Sequence, residues 1–277
     1  MADTVAKVPW GVWAAAPLVF QLIFKKQGGF YYRSFVAVIA VLVSCTHGLL
    51  LAMVLPFIGK GNQIAMLSGR VCSFLTKYFL GIVPIIEGSE HLANLGPSVV
   101  VCNHQSVLDI MLMGSVCPPG SVCVTKKSLK YYPIFGWFLS AGKAVFLDRS
   151  NRKTAVEAAR KAATDIQLNR ISPWIFPEGT RSGNDQAELL PFKKGAFYMA
   201  KQANVPIVPI VFENYFDTFN TKNNVFKAGN IKIKVLPPVS TAEYGETSED
   251  MSRLCEDVYN KMETEYKQMY KESKKRQ

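Results

Sequence analysis

Histidine followed five residues later by aspartate, in Asn103-His104-Gln105-Ser106-Val107-Leu108-Asp109, has the makings of acid–base chemistry. On a single helix the two would stand ~140° apart, because five steps of ~100° do not return to one face. They meet if His104 lies in a loop and Asp109 in the first turn of the next helix. There the carboxylate accepts the imidazole Nδ1–H, fixes the tautomer and leaves Nε2 as a base. The spacing alone is equally that of a satisfied structural histidine. Its place directly after the apolar run SVVVC weighs toward a ligand site, since ligands in α/β proteins bind beyond the carboxyl ends of strands.

A second apolar run, residues 173–176, passes straight into Pro177-Glu178-Gly179-Thr180-Arg181-Ser182. Gly179 lets backbone amides approach a ligand, and Arg181 offers a fork matched to phosphate. A salt-bridged loop is the bland alternative. Other cations follow other runs: Lys126 and Lys127 after SVCVT, Arg149 after AVFLD, and Lys193 and Lys194 before an expected helix. If these strands are parallel neighbours, all the cations gather at one edge with His104.

Several chemistries are excluded. There is no GxSxG elbow and no GxGxxG. The run from Gly136 to Gly142-Lys143-Ala144 has five residues between its glycines and alanine where a P-loop needs Ser or Thr. Cys102 reads as the buried end of a strand. Three histidines without HExxH spacing and six cysteines without a CxxC pair imply no metal, and no cofactor is indicated. The cysteine usage fits reduced, cytosol-facing thiols. A base with no nucleophile of its own implies that the nucleophile, an alcohol, arrives with the substrate.

The elements that must position these residues come from a chain of 277 residues, 49% hydrophobic and 19% charged, which rules out disorder. Expected strands cover 82–87, 98–102, 121–125, 144–147, 173–176, 207–212 and 231–236; expected helices cover 62–79, 106–114, 151–169, 193–203 and 249–271. The alternation predicts an α/β fold, a largely parallel mixed sheet flanked by helices. Two apolar segments precede it, 8–24 and 34–59, the second free of charge and long enough for a ~30 Å hydrocarbon core. Pro17 and the lack of a cleavage site argue against a signal peptide. Cations flank the second segment on both sides, so two spans and a hairpin in one leaflet both stand, with the symmetry favouring the hairpin. The organisation expected is membrane-anchoring helices over 1–80, an α/β domain over 81–240, and a C-terminal helix with a frayed basic tail, KESKKRQ, over 241–277. The net charge of +11 suits an anionic ligand at a membrane. No nucleic-acid-binding motif is present.

NHQSVLD, GKAVFLDR, FPEGTRS and VPIVPI, in this order, resemble the membrane-bound glycerolipid acyltransferases, and most closely the 1-acyl-sn-glycerol-3-phosphate (lysophosphatidate) acyltransferases. TKKSLKYYPIFGWF and LPFKKGAF add similarity to the eukaryotic, yeast-like members. The resemblance spans about residues 80–240. It implies an enzyme that moves an acyl group from acyl-CoA to the sn-2 hydroxyl of lysophosphatidate, with His104 and Asp109 catalytic. It also implies that Glu178, Gly179, Thr180 and Arg181 hold the substrate, assisted by Arg149 and more weakly by Lys126. Membrane lipids are implied as partners, and the location is the endoplasmic reticulum membrane with the site facing the cytosol. Another acceptor, such as glycerol 3-phosphate or a different lysophospholipid, is the alternative. A catalytically silent scaffold is disfavoured by the intact His104, Asp109 and Arg181.

Overall fold

The computed structural model of the chain describes residues 29–147 and 152–276. The expected strands appear as β1 (Ile82–Glu87), β2 (Val99–Cys102), β3 (Ser121–Lys126), β4 (Val145–Leu147), β5 (Ser172–Ile175) and β6 (Ile207–Phe212). A small hairpin, β7 (Phe219–Asn220) and β8 (Val225–Phe226), precedes the last strand, β9 (Gly229–Val235). The sheet order is β1-β9-β6-β2-β5-β3-β4. The five strands from β6 to β4 are mutually parallel, β9 joins β6 antiparallel, and β1 runs parallel to β9. The carboxyl ends of β2, β5, β3 and β4 therefore share one edge.

The helices among the described residues are α1 (Phe30–Ala52), α2 (Ile64–Leu80), α3 (Leu108–Met113), α4 (Phe135–Ala141), α5 (Arg152–Asn169), α6 (Gly195–Gln202) and α7 (Ser248–Lys275). They form two layers because β2 is apolar at every position and covered on both faces. Val99 and Val101 pack with Ile166 of α5, Phe197 of α6 and Met262 of α7. Val100 and Cys102 pack with Cys72 of α2, Leu112 of α3 and Ala40 of α1. Each fully buried aliphatic side chain contributes roughly 1.5–3 kcal/mol. On β9 only one face is apolar. Lys232 and Lys234 on the other face pair with Glu272 and Glu265 of α7, at 2.9 and 2.8 Å.

Helix α1 is long and apolar enough to cross a membrane by length and composition, yet it lies along the domain. At one end the Phe30 ring stacks on Phe219. One turn on, the buried Arg33 guanidinium donates to the Leu80 carbonyl and sits 5.1 Å from the Phe226 ring centre. Near the other end Gly48 lies beneath the Phe138 ring of α4. The opposite stripe, including Phe35, Val38, Leu42 and Leu50, is exposed. The expected first limb, 8–24, and with it the hairpin, lies outside the described residues.

The tail departs from expectation. Instead of fraying, α7 runs to Lys275 because the loops after β6 and β5 present carboxylates to it. Lys274 pairs with Asp217 at 2.9 Å and Asp185 at 3.3 Å, and Arg276 pairs with Glu213.

Gly114, which ends α3, touches the backbone of Gly69 and Arg70 in α2, and a Cβ at 114 would overlap the Gly69 carbonyl. No rotamer relieves a clash with backbone. Gly114→Ala should therefore destabilise the protein by about 1–3 kcal/mol, read as a lowered denaturation midpoint. An unmoved midpoint would show that this helix crossing is not tight.

Candidate active site

The chain leaves β2 through α3 on one face of the sheet and leaves the adjacent β5 through α6 on the other. Two neighbouring strands whose continuations part in this way open a crevice between their carboxyl ends. Residues 103–107 form one lip and 176–182 the other. They are tied where Ser182 N–H donates to the His104 carbonyl at 2.9 Å.

His104 lies in the loop after β2, and Asp109 is the second residue of α3. The imidazole Nδ1 and Asp109 Oδ2 are 2.8 Å apart, with the Asp109 side chain fully buried and that of His104 14% exposed. Oδ2 also accepts from the amides of Gln105 at 2.7 Å and Ser106 at 3.0 Å, while Oδ1 accepts from the Tyr215 hydroxyl. With so many donors on the carboxylate, the ring proton belongs on Nδ1 and Nε2 keeps its lone pair. The Phe176 ring stacks on the imidazole at 4.0 Å between centres and fixes its plane.

The side chains nearest this base are engaged elsewhere. Ser106 Oγ contacts Tyr215 Oη at 3.0 Å and accepts from Leu108 N–H, and Ser182 Oγ donates to the His104 carbonyl. Burial raises the Cys102 thiol well above its ordinary value, and the neighbouring Asp109 and Glu178 add to the rise. Such an arrangement can act as a base toward a hydroxyl that arrives from outside.

The second motif splits in two. Glu178 turns inward and accepts from His104 N–H at 2.7 Å and Leu190 N–H at 3.1 Å, fastening the lips together. Gly179 then takes φ +72°, with the Lys193 side chain lying where a Cβ would stand. Thr180 and Arg181 emerge exposed beyond it. Arg181 lines a pocket of about 160 Å³ with Gln105, Ser106 and Lys222. Lys126 ends β3 and is exposed at the same edge of the sheet. Lys194 turns away, its Nζ donating to Ser252 of α7 at 2.5 Å. Arg149 lies outside the described residues. Reading the sequence missed Tyr215 and Phe176, although each stands within three residues beyond the end of a strand at the edge that holds His104, and that position was the available signal.

The class of protein follows from comparison. Residues 84–213, from β1 to just past β6, match the Acyltransferase family. The chain is 36% identical over 233 residues to the 1-acyl-sn-glycerol-3-phosphate acyltransferase of Saccharomyces cerevisiae, spanning 84% of this chain and 76% of that protein. To the human 1-acyl-sn-glycerol-3-phosphate acyltransferase alpha it is 37% identical over 193 residues, 70% of this chain and 67% of that one. The crystal structure of the 1-acyl-sn-glycerophosphate acyltransferase of Thermotoga maritima superposes with a TM-score of 0.67 over 90% of this chain and 98% of that one, at 22% identity, a likeness of fold. The chain belongs to the 1-acyl-sn-glycerol-3-phosphate acyltransferase family.

Burial pushes the Glu178 carboxyl up to about 7 from an ordinary 4.5; the two amides it accepts oppose the rise and the Asp109 charge adds to it. A raised value favours the protonated form in the folded state. Its contribution is complete below pH 4.5 and is lost as the pH climbs to about 7, a loss on the order of 3 kcal/mol. Glu178→Gln keeps the shape without the titration, so its melting temperature should fall less across that interval than the wild type's. Parallel curves would count against a perturbed Glu178.

Proposed function

We propose that the protein transfers a fatty acyl group from acyl-CoA to the sn-2 hydroxyl of 1-acyl-sn-glycerol 3-phosphate, giving phosphatidate and CoA in phospholipid synthesis. The observation that carries this reading is the His104–Asp109 hydrogen bond, which leaves Nε2 as a bare base while the Ser106 and Ser182 hydroxyls beside it are occupied. His104 takes the proton of the acceptor hydroxyl as its oxygen attacks the thioester carbonyl. The tetrahedral adduct collapses with cleavage of the C–S bond, and the imidazolium returns its proton to the departing CoA sulfur. Asp109 holds the ring and stabilises its transient charge.

Arg181 and Lys222, facing the pocket beside Gln105 and Ser106, supply the positive charge that a glycerol phosphate needs, with Lys126 and Arg149 contributing from neighbouring strand ends. Gly179 and Thr180 present Arg181 to the pocket. Glu178 acts from below, as the fastener between the lips. An apolar pocket shared by α1, α2, α3, α4 and β3, lined by Val41, Cys72, Ile110, Met113 and Phe138 among others, suits a hydrocarbon chain next to the helix that carries Asp109.

Side-on docking of α1 favours a helix lying in one leaflet over a span, since its outward stripe is apolar while its inner stripe is committed to the domain. Both substrates are amphipathic, so a site at the interface meets them without drawing either into water. The setting that the family resemblance implies is the endoplasmic reticulum membrane, with the crevice facing the cytosol.

The test is thiol release from oleoyl-CoA by the purified, detergent-solubilised protein, with lysophosphatidate, glycerol 3-phosphate and lysophosphatidylcholine as acceptors. Release should require lysophosphatidate and should fall ~10²–10⁴-fold in His104→Ala, the usual worth of a general base. Preference for another acceptor would keep the mechanism and replace the substrate; equal release without any acceptor would mark a thioesterase. Arg181→Ala should raise the lysophosphatidate KM about 10–150-fold, the loss of a charged hydrogen bond. An unchanged KM would remove Arg181 from the phosphate site.

A further inference from the structure

Between β3 and β4 the chain forms a short turn of 3₁₀ helix (Lys127–Tyr131), a tight bend and α4. Three of its five aromatics point outward: Tyr131 is 73% exposed, Tyr132 59% and Trp137 60%. The display is built rather than loose. Ile134, a β-branched residue, is held at φ +61°, a conformation such residues rarely adopt. Gly136 closes the bend by donating to the Tyr132 carbonyl at 2.8 Å, and it lies so near the Leu129 and Lys130 carbonyls that a Cβ would collide with them. Lys130, next in sequence to Tyr131, is exposed, its Nζ 5.9 Å from the Phe146 ring centre. From Ile110 to Leu147 there is no acidic residue, while Lys126, Lys127, Lys130 and Lys143 all fall in that stretch.

Placement gives the display its meaning. Phe138, next to Trp137, rests on Gly48 of α1, so the aromatic bend adjoins the carboxyl-terminal part of that helix, where Leu50, Met53 and Val54 are exposed. It also follows directly from the carboxyl end of β3, on the edge where the crevice opens. We propose that this bend is a second membrane contact, belonging to the catalytic domain itself, in which Tyr131, Tyr132 and Trp137 enter the headgroup layer of an anionic lipid surface and Lys130 meets its phosphates. Tyr and Trp beside lysine, in a stretch without a carboxylate, is the composition suited to that layer, and the Phe138–Gly48 contact joins the bend to α1. Two contacts at separate points fix the domain's tilt as one helix cannot, turning the crevice toward the lipid. This inference rests on the membrane-bound reading given above.

The test uses the full chain with Trp10→Phe and Trp13→Phe, so that the emission comes from Trp137 and from Trp174, which is buried in the sheet. The protein is added to vesicles of phosphatidylcholine and phosphatidate with brominated acyl chains, and vesicle binding is checked by flotation. Emission should be quenched on binding, and a further Trp137→Phe change should remove the quenchable part. In parallel, Tyr131→Ala/Tyr132→Ala and Lys130→Glu should each lower activity on such vesicles, the double variant by on the order of tenfold, while leaving activity in detergent micelles unchanged. Vesicle-bound protein with unquenched Trp137, or variants as active on vesicles as the wild type, would overturn the second contact alone. Failure to float with vesicles would overturn the membrane-bound reading and this inference together.

Discussion

A carboxylate shut away from water must find its hydrogen-bond donors inside the protein, and Asp109 draws them from three directions. The amides of Gln105 and Ser106 reach it only if the loop after β2 bends back over the first turn of α3. The Tyr215 hydroxyl reaches it only if β6 lies beside β2 and its continuation curls toward that loop. The same juncture is sewn by Asn103, whose side chain exchanges hydrogen bonds with the backbone of Phe212 at 3.0 and 2.8 Å. Gln105 adds a bond to the Glu213 carbonyl at 2.9 Å. Removing any one of these partners would leave a buried charge under-solvated, so the aspartate enforces the arrangement of the loops around it.

Glu178 performs the corresponding task on the other side. It joins the loop after β5 to the backbone of His104, as Asn103 joins β6 to the loop after β2. The His104 imidazole, the proposed base, is thus held by the ends of three adjacent strands, and the crevice it faces exists because β2 and β5 send their helices to opposite faces. The proposed chemistry calls for a rigid lip of this kind, since a base must meet its substrate's proton at hydrogen-bond distance. The outward parts, Arg181 and Lys222, remain exposed for a partner that arrives from outside.

What the sequence disclosed and what it concealed follow physical lines. Strands of a doubly covered sheet read as unbroken apolar runs, and VVVC and IVPIVF were plain even though Pro173 and Pro209 interrupt interior strands. His104 and Asp109 were legible because five residues can encode a loop and one helical turn. Helix α4, seven residues long, and the β7–β8 hairpin, with two residues per strand, carry too little periodicity to stand out. Tyr215 was hidden for a different reason: its partner lies 106 residues away, and only the sheet order makes them neighbours. Nor could the adjacency of Glu178 and Arg181 reveal that one glycine at φ +72° would send the first into the core and the second into solvent.

The seam between β9 and α7 differs in kind from the packing around β2. Lys232 and Lys234 bridge to Glu87, Glu272 and Glu265 in half-exposed pairs, whereas the strands that hold His104 are covered by hydrocarbon on both faces. Dissolved ions weaken the first and scarcely touch the second; cooling weakens the second and leaves the first. This seam, two strands away from the imidazole, thereby takes up changes in ionic surroundings. The strands that set the position of the imidazole are insulated from them, a useful separation for a chain of net charge +11.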